Sequence, residues 1–82
     1  MILPTKGISP DRALLSVGGE VLDLLPEPTT VSRLWHDLMQ RRTQRDQQAP
    51  VTYDWFVLAL DFLFAIGAIE LDERTLIRRA EP

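Results

Sequence analysis

The run from Trp55 to Ala68 constrains this chain more than any other feature: 14 consecutive residues, apolar apart from Asp61 and Gly67. Thr52 stands ahead of it as a cap and Asp54 lies in the first turn, so the segment reads as a helix from Thr52 to about Ala68. With Asp54 set at zero and about 100° of rotation per residue, Asp61 falls near 340°, beside Asp54. From Leu58 round to Val57 every position is apolar apart from the small Gly67, an arc of roughly 260° by the same rotation. An ordinary surface helix needs an apolar stripe only a little over ~100° wide. Trp55, Ala59, Phe62 and Ile66 form one stripe; Phe56, Leu60, Leu63 and Gly67 a second; Val57, Leu60 and Phe64 edge a third. Two readings stay open. The helix is the central element of a small core, or one aromatic-rich stripe docks on a partner or a second copy, with Tyr53, Trp55, Phe56, Phe62 and Phe64 as candidate anchors. The two are compatible if different stripes serve each.

The length sharpens the question. With 82 residues the chain has material for one core, so residues 1–82 read as a single domain. An apolar share of 45% and a charged share of 26% describe a foldable globular chain rather than a disordered one. The absence of cysteine excludes disulfides, thiolate chemistry and cysteine zinc sites. Met1 to Gly7 lacks a basic segment followed by a long apolar run, so no signal peptide is expected there. The apolar run is also shorter than the about 20 residues of a membrane span. The expected location is the cytoplasm.

The remaining elements are set by local signals. Met1-Ile2-Leu3, stopped by Pro4, suits a short edge strand that joins a sheet. Ser9-Pro10-Asp11 is a helix start, with a capping hydroxyl, proline at the first helical position and an acid in the first turn. This first helix carries Ala13, Leu14, Val17, Val21, Leu22, Leu24 and Leu25, and Pro26-Glu27-Pro28 ends it. Gly18-Gly19 interrupts it and marks either a close helix contact or a bend, because each glycine costs about 1 kcal/mol in a helix interior. Thr30 caps a second helix to about Arg41, with Val31, Leu34, Trp35, Leu38 and Met39 on its buried face. The polar stretch from Gln40 to Pro50 reads as a loop, opening fully at Arg42. After the third helix, Ile69-Glu70-Leu71 and Leu76-Ile77-Arg78 flank Asp72-Glu73-Arg74-Thr75, which predicts a β-hairpin with a four-residue connection. Three helices followed by a hairpin give a mostly α, α+β domain resembling a winged helix-turn-helix.

That order raises DNA binding, and the charges argue against its usual form. The net charge is −3. The helix that would enter the major groove has no basic residue, and its only charges, Asp54 and Asp61, repel phosphate. Arg41, Arg42 and Arg45 form a small basic cluster whose plain role is to complement a helix C-terminus and whose sharper role is auxiliary phosphate contact. Arg74, Arg78 and Arg79 lie on or after the hairpin, and Arg78 and Arg79 join the cluster as candidate wing contacts to a nucleic-acid backbone, but Glu70, Asp72, Glu73 and Glu81 surround them, which favours local compensation. His36 is the only histidine and has no convergent ligands, so no metal site is expected. Ser16 and Ser32 lack a base and a nucleophile elbow. Gly18-Gly19-Glu20 lacks the spacing of a phosphate loop. Neither catalysis nor a cofactor is expected.

Three stretches carry a family resemblance. They are Ile2 to Lys6 leading into Ser9-Pro10-Asp11-Arg12-Ala13-Leu14-Leu15, then Glu27-Pro28-Thr29-Thr30-Val31-Ser32-Arg33-Leu34-Trp35, then Tyr53 to Asp61 followed by Gly67-Ala68-Ile69-Glu70-Leu71. Together they resemble the middle component, type 6, of bacterial ABC-three-component systems, over about residues 1 to 79. The resemblance implies a position similar to the small subunit of Lamassu-type antiphage defence systems. Its partners would be an ABC ATPase of the structural-maintenance-of-chromosomes or Rad50 type and an effector, often a nuclease. By analogy with winged-helix subunits of condensin-like complexes, it is also compatible with a homodimer. No catalytic residue comes over from the family. The expected function is therefore a non-catalytic scaffold or adaptor subunit, with a DNA-binding winged-helix regulator as the alternative reading.

Overall fold

Three side-chain caps start the three helices found among the described residues. The computed structural model describes residues 9–44 and 51–80. Within them, α1 (Pro10–Asp23), α2 (Val31–Thr43) and α3 (Tyr53–Ala65) are followed by β1 (Ile69–Leu71) and β2 (Ile77–Arg79). The Ser9 hydroxyl accepts from the Arg12 N–H at 3.4 Å, Thr30 from Arg33 at 3.1 Å and Thr52 from Trp55 at 3.4 Å. Each bond satisfies an amide that the helix itself leaves without a partner. The result is a mostly helical α+β fold, three helices and an antiparallel hairpin, consistent with a winged-helix-like arrangement.

The first helix runs unbroken through Gly18-Gly19. Its buried line is Ala13, Val17, Gly18, Glu20 and Val21, and small side chains there let α1 lie close to α3. A Cβ on Gly18 would come within 3.4 Å of Leu63 Cδ2, whereas one on Gly19 would meet nothing within 4 Å. Of the two meanings open for the glycine pair, Gly18 therefore marks a close helix contact.

The second helix continues to Thr43, past the expected end at Arg41. Arg42, expected to open the loop, is instead buried in the last turn, where its guanidinium pairs with the Glu20 carboxylate of α1. The physical reason is tertiary: a carboxylate buried on α1 requires a cation, and two further residues of α2 deliver it. Beside this pair, Arg41 reaches Asp23 at 3.3 Å.

The third helix stops at Ala65 rather than Ala68, because Gly67 adopts φ +76° and closes a Schellman motif. The Gly67 N–H donates to the Phe64 carbonyl at 3.1 Å and the Ala68 N–H to the Leu63 carbonyl at 2.8 Å. That turn sends the chain into β1. The hairpin pairs Ile69 with Arg79, Glu70 with Arg78 and Leu71 with Ile77. Its connection is one residue longer than expected, Asp72 to Leu76, because Asp72 organises it. The Asp72 carboxylate accepts from the Arg74 N–H at 2.8 Å and the Leu76 N–H at 2.9 Å, while Thr75 takes φ +61°.

The sheet gains a third position from an unexpected place. Thr29, between α1 and α2, bridges antiparallel to Ile77. The strand expected at Met1 to Leu3 lies outside the described residues. The core between the layers is formed by Ala13, Val17, Val21 and Leu25, by Leu34 and Leu38, by the inner side of α3, and by Ile69 and Ile77.

Candidate functional site

The core takes one side of α3 and leaves the other to solvent. Trp55, Phe56, Ala59, Leu60 and Leu63 are buried and span, at about 100° per residue, an arc of roughly 140° centred opposite Asp54. On the outer side Asp54, Val57, Leu58, Asp61, Phe64 and Ala65 are all exposed. Val57, Leu58 and Phe64 keep 36%, 40% and 38% of their surface in water. They flank the two aspartates: Val57 and Phe64 on one side, Leu58 and Ala65 on the other. Neither aspartate has an ion pair or hydrogen-bond partner among the described residues.

The five aromatic candidates divide. The rings of Trp55 and Phe56 are enclosed by the chain's own core, and Phe62 is half-buried against it. The buried Trp55 Nε1 has no hydrogen-bond partner among the described residues. Tyr53 and Phe64 remain at the surface. Tyr53 stands edge-on to Trp35 of α2 with ring centroids 5.1 Å apart, and both rings approach Phe56, at 5.6 and 5.1 Å. The cluster fixes the start of α3 against α2 and continues the apolar surface beyond Val57. Sequence reasoning did not single out Val57, Leu58 and Trp35 as surface anchors. For the first two the signal was their helical angle beside the aspartates; for Trp35 there was none, because its spacing marks only the buried side of α2.

The arginines are mostly engaged within the chain. Arg41 pairs with Asp23, Arg42 with Glu20, and Arg78 with Glu70 at 2.8 Å across the hairpin. Arg45 lies outside the described residues. Arg79 is exposed without an ion pair among the described residues and lines, with Arg78 and Glu27, a cleft of about 410 Å³ between the α1–α2 connection and β2. Arg74 is exposed at the hairpin turn. The one clear electrostatic perturbation among the described residues is there: the Leu76 N–H foremost, then the Arg74 N–H and the nearby Arg74 and Arg78 charges, hold the Asp72 carboxyl below its ordinary range against some desolvation. His36, Ser16 and Ser32 are exposed on their helices. Among the described residues, no group of three or more His, Cys, Asp and Glu converges as a metal site. No helix among them is long and apolar enough to cross a membrane.

A family model described as ABC-three component (ABC-3C) system Middle Component 6 matches residues 3–80. The chain belongs to this family. No curated protein and no solved structure matches it. The family match spans the caps, all three helices and the hairpin, so this middle component is a subunit of an ABC-three component system and works with that system's other components. A candidate contact surface among the described residues is the outer side of α3 with the Trp35–Tyr53 rim.

Proposed function

We propose that this middle component is a non-catalytic adaptor subunit of a cytoplasmic antiphage defence complex. In this reading it docks on an ABC ATPase of the structural-maintenance-of-chromosomes or Rad50 type and helps to hold an effector, such as a nuclease, in a regulated state. The observation that carries the reading is the outer side of α3. In a winged-helix-like domain that helix is the one offered to a groove in DNA, where arginine, lysine, asparagine or glutamine would meet base edges. Here the offered residues are Val57, Leu58 and Phe64 around Asp54 and Asp61. Apolar surface of this kind binds protein, and its carboxylates repel phosphate.

Family membership supplies the setting, and the engagement of Arg41, Arg42 and Arg78 with carboxylates of the same chain supports the adaptor over the DNA-binding regulator. The test is co-expression of the chain with the ATPase and effector encoded in the same system, followed by size-exclusion chromatography. A stable co-eluting complex is expected. A chain that elutes alone from both, and that shifts duplex DNA at low salt, would overturn the reading.

A further inference from the structure

The outer side of α3 repeats every seven residues. Asp54, Val57, Asp61 and Phe64 follow one another at spacings of three, four and three, with Leu58 and Ala65 alongside, and all six are exposed. This is the spacing of a coiled-coil seam, in which alternate steps of three and four keep one line of side chains turned toward a neighbouring helix. The occupants are unusual. Apolar Val57 and Phe64 fill one set of seam positions, and carboxylates fill the other. By the rise of a helix the two carboxylates stand about 10 Å apart along the axis.

Any partner that covers Val57, Leu58 and Phe64 must also cover Asp61, which lies among them, and a helix long enough to reach Tyr53 covers Asp54 as well. Taking those carboxylates out of water without counter-charges is strongly unfavourable. The described residues of their own chain supply none: α3 carries no lysine or arginine, and neither aspartate has an ion pair among the described residues. The counter-charges must come from the partner. A second copy related by a two-fold axis would instead gather four carboxylates in one seam, and a nucleic-acid backbone or anionic lipid surface would add further negative charge.

We propose that this seam receives a single amphipathic helix of another protein component of the system, apolar along its contact line and carrying lysine or arginine at two positions seven residues apart, opposite Asp54 and Asp61. Tyr53, braced edge-on by Trp35, forms the aromatic rim of the seat. The inference rests on the adaptor reading and specifies the chemistry of its partner.

The test uses the full chain with the purified ATPase and the purified effector of its own system, measuring dissociation constants by calorimetry at rising salt. The wild-type chain binds one of the two, with affinity falling as salt rises. The double variant Asp54→Lys/Asp61→Lys loses roughly 100-fold or more in affinity. The single variant Asp61→Lys, outside the first turn of α3, keeps the wild-type melting temperature and still weakens binding, whereas Asp54→Lys also lowers the melting temperature by a few degrees through loss of the first-turn acid. Glutamate substitutions at the facing lysines or arginines of the partner restore binding to that double variant. If the wild type binds a component and the double variant binds equally well, the seam proposal fails while the adaptor reading stands. If the wild type binds neither component, both fail. If the wild-type chain alone forms a homodimer that Phe64→Glu breaks, the seat belongs to a second copy and the proposal is overturned.

Discussion

Gly18 of α1 lies against Leu63 of α3 so closely that a Cβ added to the glycine would come to 3.4 Å from Leu63 Cδ2. That contact separates two adjacent glycines that look alike in sequence: Gly18 faces Leu63 and Gly19 faces open space. Because α3 packs mainly on α1, the side of α3 turned away from α1 is the one left for a partner.

The two glycines respond oppositely to substitution. Gly19→Ala gains about 0.5–1 kcal/mol, because alanine is the better helix former and nothing obstructs its methyl. Gly18→Leu loses about 1–3 kcal/mol, since the added atoms must displace Leu63. Urea unfolding followed by circular dichroism separates the two outcomes.

The ion pair between Glu20 and Arg42 has side chains only 9% and 6% exposed. Removing one partner, as in Arg42→Met, leaves a carboxylate buried beside α2 and costs about 3–5 kcal/mol. That is much of the stability of a small domain. Replacing both, with Glu20→Leu and Arg42→Met together, recovers most of the loss, and a double-mutant cycle by chemical denaturation measures the difference.

Asp72 makes the hairpin connection sensitive to acid. Its carboxyl is depressed in the folded chain, so its contribution is fully present above the ordinary carboxylate range and is lost as pH falls through the lower folded value. The stability gap between the wild type and Asp72→Ala is therefore expected to be widest near neutral pH and to shrink on acidification. Urea midpoints across that range read it directly; a gap independent of pH would contradict the assignment.

Tyr53 and Trp35 should be energetically coupled by about 0.5–1.5 kcal/mol, the usual value for an edge-on ring pair. Tyr53→Phe keeps the ring and leaves stability within about 0.5 kcal/mol of wild type. Tyr53→Ala loses the contact and also weakens complex formation, because it removes the rim of the docking surface. Thermal melts and co-elution of the same variants distinguish the two effects.

Much of this architecture was legible because its signals are local. Ser9, Thr30 and Thr52 each cap the helix that their neighbours suggested, since a capping hydroxyl and the amide it serves lie three residues apart. The hairpin was legible for the same reason. Arg42 was not: it sits in a polar run, and what buries it is Glu20, on a different helix. The third strand position at Thr29 is equally invisible locally, because its partner is Ile77. For the candidate site, the width of the apolar arc on α3 could be read from rotation alone. Which part of it faces outward depends on where α1 lies, and a single helix contains no record of its neighbours.

Thr29 and Ile77 exchange backbone hydrogen bonds in both directions, at 2.9 and 2.8 Å. The junction between the first two helices is thus tied to the far end of the fold, a contact between stretches distant in sequence. A change that loosens β2 is therefore felt at the turn that sets α1 against α2.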